Sequence, residues 1–129
     1  MSRIERGARG EELAAEFLVS HGLTVVGKNV RPKPCLARGD IDLLAWDDNV
    51  LVFVEVKTRG NPTGPHGTPA EAVDFRKQRQ IARLALAYLT VNDLEDVSCR
   101  FDVIEVVRQP GRAPVFTHIR DAFDATDCE

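Results

Sequence analysis

The sequence predicts an α/β domain in which a mixed β-sheet is flanked by helices, in the order α-β-β-β-α-β(-β). Apolar residues recur at helical spacing in two long segments, and short β-branched runs bounded by turn formers lie between and after them. The length of 129 residues is enough for one hydrophobic core but leaves no room for a second. We therefore predict a single domain over residues 1–120 and an acidic, flexible tail over residues 121–129.

The composition excludes several classes of protein. With 43% hydrophobic and 29% charged residues it is that of a globular domain. No apolar stretch reaches the length of a membrane span and no signal-peptide core is present, so we predict no membrane partner. The 3 cysteines are odd in number and widely spaced, which favours reduced thiols and a cytoplasmic location. The net charge of −3 weighs against a duplex-binding protein, although the acidic tail contributes to it.

The first predicted helix covers residues from about 4 to 21. Glu11 falls at the margin of the apolar stripe of this helix, beside Leu18, where its carboxylate could reach over the edge of the sheet. The alternative is that Glu11 lies at the boundary between core and solvent, with its methylene groups packed on the core and its carboxylate in water. Gly22 ends the helix, and residues 23–27 form the first strand. The members of the stripe are Leu13, Ala14, Phe17, Leu18 and His21.

Two strands, at residues 39–45 and 50–57, flank the turn Asp47-Asp48-Asn49 and predict a hairpin. If the turn contains two residues, Asp42 lies directly opposite Glu55 on one face of the sheet, about 5 Å away. A three-residue loop would instead send the two side chains to opposite faces. The hairpin register therefore decides whether these carboxylates form a site.

Two facing carboxylates are destabilising unless a cation compensates them. Residues 50–54 are apolar without a break, which is typical of a strand buried on both faces. A carboxylate such as Glu55 at the end of that strand is costly unless it is paired or binds a metal. A divalent metal would resolve the repulsion, whereas the alternative is a carboxylate pair that faces solvent on a half-exposed hairpin.

The second predicted helix begins with a capping box, with Thr68 as N-cap, Pro69 in its first turn and Glu71 completing the box. Lys77 lies within the apolar stripe formed by Val73, Ile81, Leu84 and Tyr88. It either snorkels to solvent or points over the sheet toward the hairpin carboxylates. The adjacent flank of the helix is basic, and we interpret it either as a solvated face or as a ridge that contacts phosphates. Its residues are Arg76, Arg79, Gln80 and Arg83.

The pattern of apolar residues in the last part of the chain predicts one long strand and one short strand. Residues 100–107 form the first of these and residues 115–119 the second, on either side of the turn at Gln109-Pro110-Gly111. Asp102 and Glu105 are acids within the apolar run of the first of these strands, and the sequence alone does not assign a role to either. Strand ends and edges hold many such charges.

Asp42 followed by Glu55-Val56-Lys57 matches the D…ExK core of the restriction-endonuclease-like nuclease superfamily. The whole chain from residue 7 to about 107 resembles one branch of it, the YraN-like family of small bacterial proteins, which are related in fold to Holliday junction resolvases. The segments that carry the resemblance are Gly7-Ala8-Arg9-Gly10-Glu11, Ala14 with Phe17-Leu18, Gly39-Asp40-Ile41-Asp42-Leu43-Leu44, Leu51 through Arg59, and Arg100-Phe101-Asp102-Val103-Ile104.

The resemblance implies a restriction-endonuclease-like fold and a role for each matching residue. Asp42 and Glu55 are expected to bind Mg²⁺ or Mn²⁺ together with the carbonyl of Val56, and Lys57 to position or activate the attacking water. Glu11 resembles the helix glutamate that resolvase-like members add near the metal. Resolvase-like relatives work as dimers, so a homodimer is one possible state. One departure is Ile41, which stands where the superfamily has proline before the aspartate.

Two functions from different classes remain open. The first is a metal-dependent DNA nuclease that acts on branched or otherwise non-standard DNA. The second is a non-catalytic module that binds nucleic acid or protein on a nuclease fold. For either function the predicted nucleic-acid contacts are Arg59, Arg76, Lys77, Arg79, Gln80 and Arg83. A third hypothesis is a structural domain whose acids form ion pairs with Arg59 or Arg100.

Overall fold

The computed structural model describes residues 3–33, 38–60 and 73–124. It contains two helices and five strands in the described residues, in the predicted order: α1 (Arg3–Ser20), β1 (Thr24–Val30), β2 (Ile41–Asp47), β3 (Val50–Arg59), α2 (Phe75–Val91), β4 (Cys99–Val107) and β5 (Val115–Phe123). The five strands form one sheet in the order β1-β2-β3-β4-β5. The mixed α/β architecture predicted from the sequence is therefore confirmed.

The sheet is antiparallel except at its centre. β3 and β4 run parallel, and α2 is the crossover that joins them, whereas the other three neighbouring pairs are antiparallel. The two helices pack on opposite faces of the sheet. Val52 and Val54 contact the core under α1, while Leu51 and Phe53 belong to the core under α2. β3 is thus buried on both faces, as its unbroken apolar run predicted.

The hairpin between β2 and β3 has the register that places the candidate carboxylates together. Asp47 pairs with Val50 and Leu43 pairs with Val54, so the turn contains two residues. The same register, continued one residue beyond the Leu43–Val54 pair, places Asp42 opposite Glu55. Asp48 has a φ of 51°, a left-handed conformation that two-residue hairpin turns require and that aspartate tolerates. The alternative three-residue loop, which would have separated the two acids, does not form.

The ends of α1 explain how this helix is placed. Gly22 has a φ of 91°, and the N–H of Leu23 donates to the carbonyl of Leu18 at 3.0 Å, which closes the helix as predicted. Near the other end, a Cβ on Gly10 would overlap the hydroxyl oxygen of Thr58 at the end of β3. Glycine at this position therefore lets the N-terminal part of α1 approach the strand that carries Glu55.

Several predicted boundaries were wrong. The described part of α2 begins at Phe75 with Asp74 as its N-cap, so Val73 is a buried residue ahead of the helix rather than a member of its stripe. The predicted capping box at Thr68 lies outside the described residues. β1 continues to Val30, three residues beyond its predicted end, with an irregularity between Val25 and Gly27.

β5 also runs further than the sequence pattern predicted. It continues to Phe123, which stacks on Phe101 of β4 with ring centroids 5.0 Å apart, so residues 121–123 belong to the sheet and not to the predicted tail. Residues 125–129 lie outside the described part of the chain. Neither helix in the described segments combines the length and apolarity needed to cross a membrane.

Candidate metal centre

Asp42 and Glu55 lie side by side on the face of the sheet that α2 covers. Their carboxyl groups are within hydrogen-bonding reach of each other, which confirms that the two side chains share a face. Asp42 Oδ2 also accepts a hydrogen bond from the backbone N–H of Val56 at 2.9 Å. Only 6% of Glu55 is exposed. Two acids from adjacent strands are thus held together at a largely desolvated position.

Burial is the main reason that Asp42 resists ionisation. It raises the pKa of Asp42, and the negative charge of Glu55 raises it further, to about 7, against the partial compensation of the Val56 N–H and of Lys77. The Asp42 carboxyl therefore lacks enough positive charge in its surroundings to offset its burial and the neighbouring acid. A site with this imbalance favours an added cation.

Two lysines approach Glu55 from different elements. Lys57, two residues further along β3, places its Nζ 3.6 Å from Glu55 Oε1. Lys77 comes from the first turn of α2 and places its Nζ 3.7 Å from the same oxygen. Of the two alternatives for Lys77, the structure shows the one in which the side chain points over the sheet. Periodicity marked Lys77 as unusual but could not identify its partner.

Glu11 reaches the same region from α1, on the other side of the sheet. Burial raises the pKa of Glu11, and the negative charge of Asp42 raises it further, whereas a hydrogen bond with the side chain of Asn29 lowers it. Glu11 is therefore an electrostatic neighbour of Asp42. Among the described residues, however, no group of three or more His, Cys, Asp or Glu side chains is close enough to hold one metal ion.

The donor set that the structure brings together is thus Asp42, Glu55 and the backbone of Val56. Carboxylate and carbonyl oxygens are the ligands that Mg²⁺ and Mn²⁺ prefer, and Mg²⁺ commonly binds through one or two carboxylates and several waters. Burial and the charge of Glu55 raise the pKa of Asp42, and a cation bound beside Asp42 would oppose both effects. The residues present fit a hard divalent cation, with Glu11 outside the immediate set of ligands.

Arg59, the predicted nucleic-acid contact that follows β3's apolar run, forms an ion pair inside the protein. Its Nε lies 3.2 Å from Oε2 of Glu105, a buried residue of β4, while 38% of the Arg59 side chain remains exposed. Glu105 is the partner that the sequence pattern left unassigned. The Arg59 side chain therefore pairs with a buried acid and is still partly open to solvent, near the same end of β3 as Lys57.

The basic flank of α2 is arranged beside the loop that leads into β2. The side-chain amide of Gln80 donates to the carbonyl of Arg38 in that loop. One turn away on either side of Gln80, Arg76 and Arg83 are exposed, and Arg79 lies over the ring of Phe75 at 5.9 Å. The exposed arginines thus form a positive surface on the flank of α2 that lies beside the loop before β2, while Gln80 is engaged within the protein.

A second buried acid, Asp102, lies on the opposite face of the sheet and has a different environment. It is 0% exposed and accepts hydrogen bonds from Arg100, from His118 Nε2 at 2.8 Å and from the N–H of Asp121. Arg100 also binds Asp47 at 2.7 Å. Arg100 and Arg59 thus both form ion pairs, but the partners are Asp47 and Asp102 for Arg100 and Glu105 for Arg59, not Asp42 and Glu55. The sequence signal was that Asp102, like Glu105, lies inside the apolar run of β4.

Replacing Asp102 by asparagine is expected to lower the free energy of unfolding by about 2 kcal/mol at pH 7. Burial alone would raise the pKa of Asp102, but the hydrogen bonds from His118, Arg100 and Asp121 outweigh it and lower the pKa. The charge therefore stabilises the fold above the ordinary pKa of an aspartate, and the stabilisation disappears as the pH falls through the lowered value. Urea unfolding at neutral and acidic pH measures the difference.

The matched control is Asp96→Asn, because Asp96 is exposed. This change should leave the unfolding midpoint within experimental error at both pH values. Equal stability of the Asp102 variant and the parent at pH 7 would show that the buried network contributes no net stabilisation.

Comparison with known proteins assigns the chain to one family, and the matched region includes every residue of the candidate site. Residues 10–106 match the model of the uncharacterised protein family UPF0102. A UPF0102 protein of Symbiobacterium thermophilum is 47% identical over 119 residues, which cover 92% of this chain and 96% of the relative. UPF0102 proteins of Nocardia farcinica and Geobacter sulfurreducens are 45% and 43% identical, over 91% and 92% of this chain and 87% and 88% of the relatives. The match confirms the resemblance predicted from the motifs.

Proposed function

We propose that this chain, which belongs to the uncharacterised protein family UPF0102, is a metal-dependent nuclease that hydrolyses phosphodiester bonds in DNA. The single observation that carries the proposal is the buried Asp42–Glu55 pair, in which the pKa of Asp42 is raised to about 7 and a lysine of the same strand stands beside the acids. A buried carboxylate beside a second acid is costly unless a cation compensates it, and a role in packing alone would not require that cost.

In the proposed mechanism Asp42, Glu55 and the Val56 carbonyl would hold Mg²⁺ or Mn²⁺. When bound, such an ion supplies a coordinated water of lowered pKa and neutralises charge on the phosphoryl oxygens. The Val56 N–H fixes the orientation of the Asp42 carboxylate through its hydrogen bond to Oδ2. This bond keeps the donor oxygens in place before any ligand arrives.

Lys57 supplies positive charge at the reacting phosphate. It projects from the same face of β3 as Glu55, because alternate residues of a strand share a face. Its side chain is 28% exposed, so the ammonium stands between the buried acid and solvent. There it orients the attacking water and stabilises the negative charge that develops on the phosphoryl oxygens. Attack in line would leave a 5′-phosphate and a 3′-hydroxyl.

The exposed arginines of α2 support nucleic acid as the substrate. Arg76 and Arg83 lie on the flank that Gln80 turns toward the loop before β2, so a phosphate backbone that approaches Asp42 would pass them. Such contacts position DNA without reading its sequence. The net charge of −3 is thus compatible with a local positive surface beside the acids.

The test is to incubate the purified protein with labelled duplex, single-stranded and four-way-junction DNA in the presence of Mg²⁺, Mn²⁺ or a chelator. Cleavage should require the divalent cation, and Asp42→Asn should reduce it by about a hundredfold or more because a metal ligand is lost. Salt-dependent binding of DNA by the parent without any cleavage would support the non-catalytic module instead. Equal cleavage by the parent and Asp42→Asn would identify a contaminating nuclease.

A further inference from the structure

Lys77 makes a contact that the proposed mechanism does not use. Its Nζ lies 3.7 Å from Glu55 Oε1, the same oxygen that Lys57 approaches at 3.6 Å. The Lys77 side chain is 33% exposed and the Glu55 side chain 6% exposed. One carboxylate oxygen therefore faces two ammonium groups, of which only Lys57 comes from the same strand.

The position of Lys77 in α2 is unfavourable for a cation. It is the third residue of the helix after the N-cap Asp74, whose carboxylate accepts from the Lys77 N–H at 2.8 Å. The first turn contains no acid, and the positive end of the helix dipole disfavours a positive side chain there. The Asp74 carboxylate accepts the hydrogen bond of the Lys77 backbone N–H, and the Glu55 carboxylate balances the positive charge of the Lys77 side chain. Without the pair, Lys77 would destabilise the start of α2.

The same oxygen cannot serve an ammonium and a metal ion equally well. Glu55 is one of the three donors in the proposed metal site, and a divalent cation bound there would stand within a few ångströms of the Lys77 ammonium. The two cations would repel each other, and the repulsion is weakly screened in a partly buried site. The Lys77 side chain, with four rotatable carbons and an exposed end, can move away, whereas β3 fixes Glu55.

We propose that Lys77 is a displaceable counter-ion: it pairs with Glu55 while the site holds no divalent cation and leaves this oxygen when such a cation binds. The inference rests on the proposed function and adds a regulatory step to it. Lys77 competes with the metal and so weakens its apparent affinity. Once displaced, its charge lies beside the site, where it can pair with a phosphate of the substrate.

Titration calorimetry with Mn²⁺ tests the competition without any measurement of activity. Lys77→Gln should bind Mn²⁺ about three to ten times more tightly than the parent, because a partly exposed ion pair no longer opposes binding. Lys77→Arg, which keeps the charge, should bind no more tightly than the parent. Arg76→Gln is the matched control: it removes the same charge one residue away, from an exposed side chain. It should change the affinity by less than about twofold.

A second readout follows the Lys77 side chain itself. Acylation of lysines by a water-soluble reagent, read by mass spectrometry, should modify Lys77 faster when Mn²⁺ is added, whereas the exposed Lys33 should react at the same rate with and without the ion. This measurement reports displacement in the unaltered protein. It therefore separates movement of Lys77 from a general change in the field of the protein.

The outcomes separate this inference from the proposed function. If the parent binds Mn²⁺ and cleaves DNA but Lys77→Gln binds no more tightly than Arg76→Gln, the counter-ion role is wrong while the nuclease proposal stands. Unchanged acylation of Lys77 on Mn²⁺ binding would also overturn it. If neither the parent nor Lys77→Gln binds Mn²⁺, both the inference and the metal site on which it rests are wrong.

Discussion

Replacing Lys57 by alanine is expected to reduce metal-dependent DNA cleavage by about 10²- to 10³-fold, the usual effect of removing one group that stabilises a developing oxyanion. The Lys57 ammonium lies 3.6 Å from Glu55, but it is not a metal ligand. The variant should therefore bind Mn²⁺ at least as tightly as the parent while its single-turnover cleavage rate falls. This split distinguishes a chemical role for Lys57 from a role in metal binding.

The control for this experiment is Lys33→Ala, which makes the same chemical change at an exposed position outside the site. Its cleavage rate and Mn²⁺ affinity should equal those of the parent. The circular dichroism spectra of both variants should show that the fold is intact. Cleavage by Lys57→Ala at the parental rate would contradict the assignment of Lys57 to the reaction.

The second large effect concerns stability in the absence of divalent cations. The pKa of Asp42 is raised from 3.8 to about 7, so between these values the folded protein holds a proton that the unfolded chain releases. Stability therefore falls as the pH rises through this interval and levels off above it. Between pH 5 and pH 8 the free energy of unfolding is expected to decrease by about 3 kcal/mol because of this group.

Asp42→Asn should remove most of this pH dependence, since asparagine does not titrate and can still accept the N–H of Val56. At pH 8 with a chelator present, the variant is expected to be more stable than the parent by about 3 kcal/mol. Urea unfolding at pH 5 and pH 8 measures both quantities, with Asp96→Asn as an exposed aspartate that should retain the parental profile. Parental and Asp42→Asn proteins with the same pH profile would show that Asp42 ionises normally.

Added Mn²⁺ should reverse the order of stability at pH 8. A ligand that binds only the folded state stabilises it in proportion to the logarithm of its concentration over its dissociation constant. The parent would gain this stabilisation, while Asp42→Asn, with one donor less, would gain much less of it. The comparison therefore connects the carboxylate pair to metal binding by a measurement independent of cleavage.

The hairpin could be predicted from the sequence because its register depends on local chemistry. A two-residue turn at Asp48-Asn49 and the period of two along a strand are enough to place Asp42 opposite Glu55. Glu11 could be placed by the helical wheel alone, since α1 packs on the sheet through its apolar stripe. For these residues, short-range geometry already determines the position.

Other features depend on contacts between distant segments, which periodicity does not contain. The partner of Lys77 lies in another element, and so does Glu105, which binds Arg59 across the parallel β3–β4 pair. The full burial of Asp102 follows from β5, whose pattern predicted a shorter strand. An isolated acid in an apolar run indicates that a partner exists, but only the packed sheet identifies it.

The parallel pairing of β3 and β4 has a consequence for how the protein folds. The two acids belong to a hairpin closed by a short loop, whereas Lys77 and the β4 strand join through the long crossover that contains α2. Because closing a short loop is faster and loses less chain entropy, the hairpin can form before the crossover docks. At that stage the acids lack the ammonium group of α2, so docking of the crossover brings Lys77 to Glu55 at the same time as it brings β4 to the sheet.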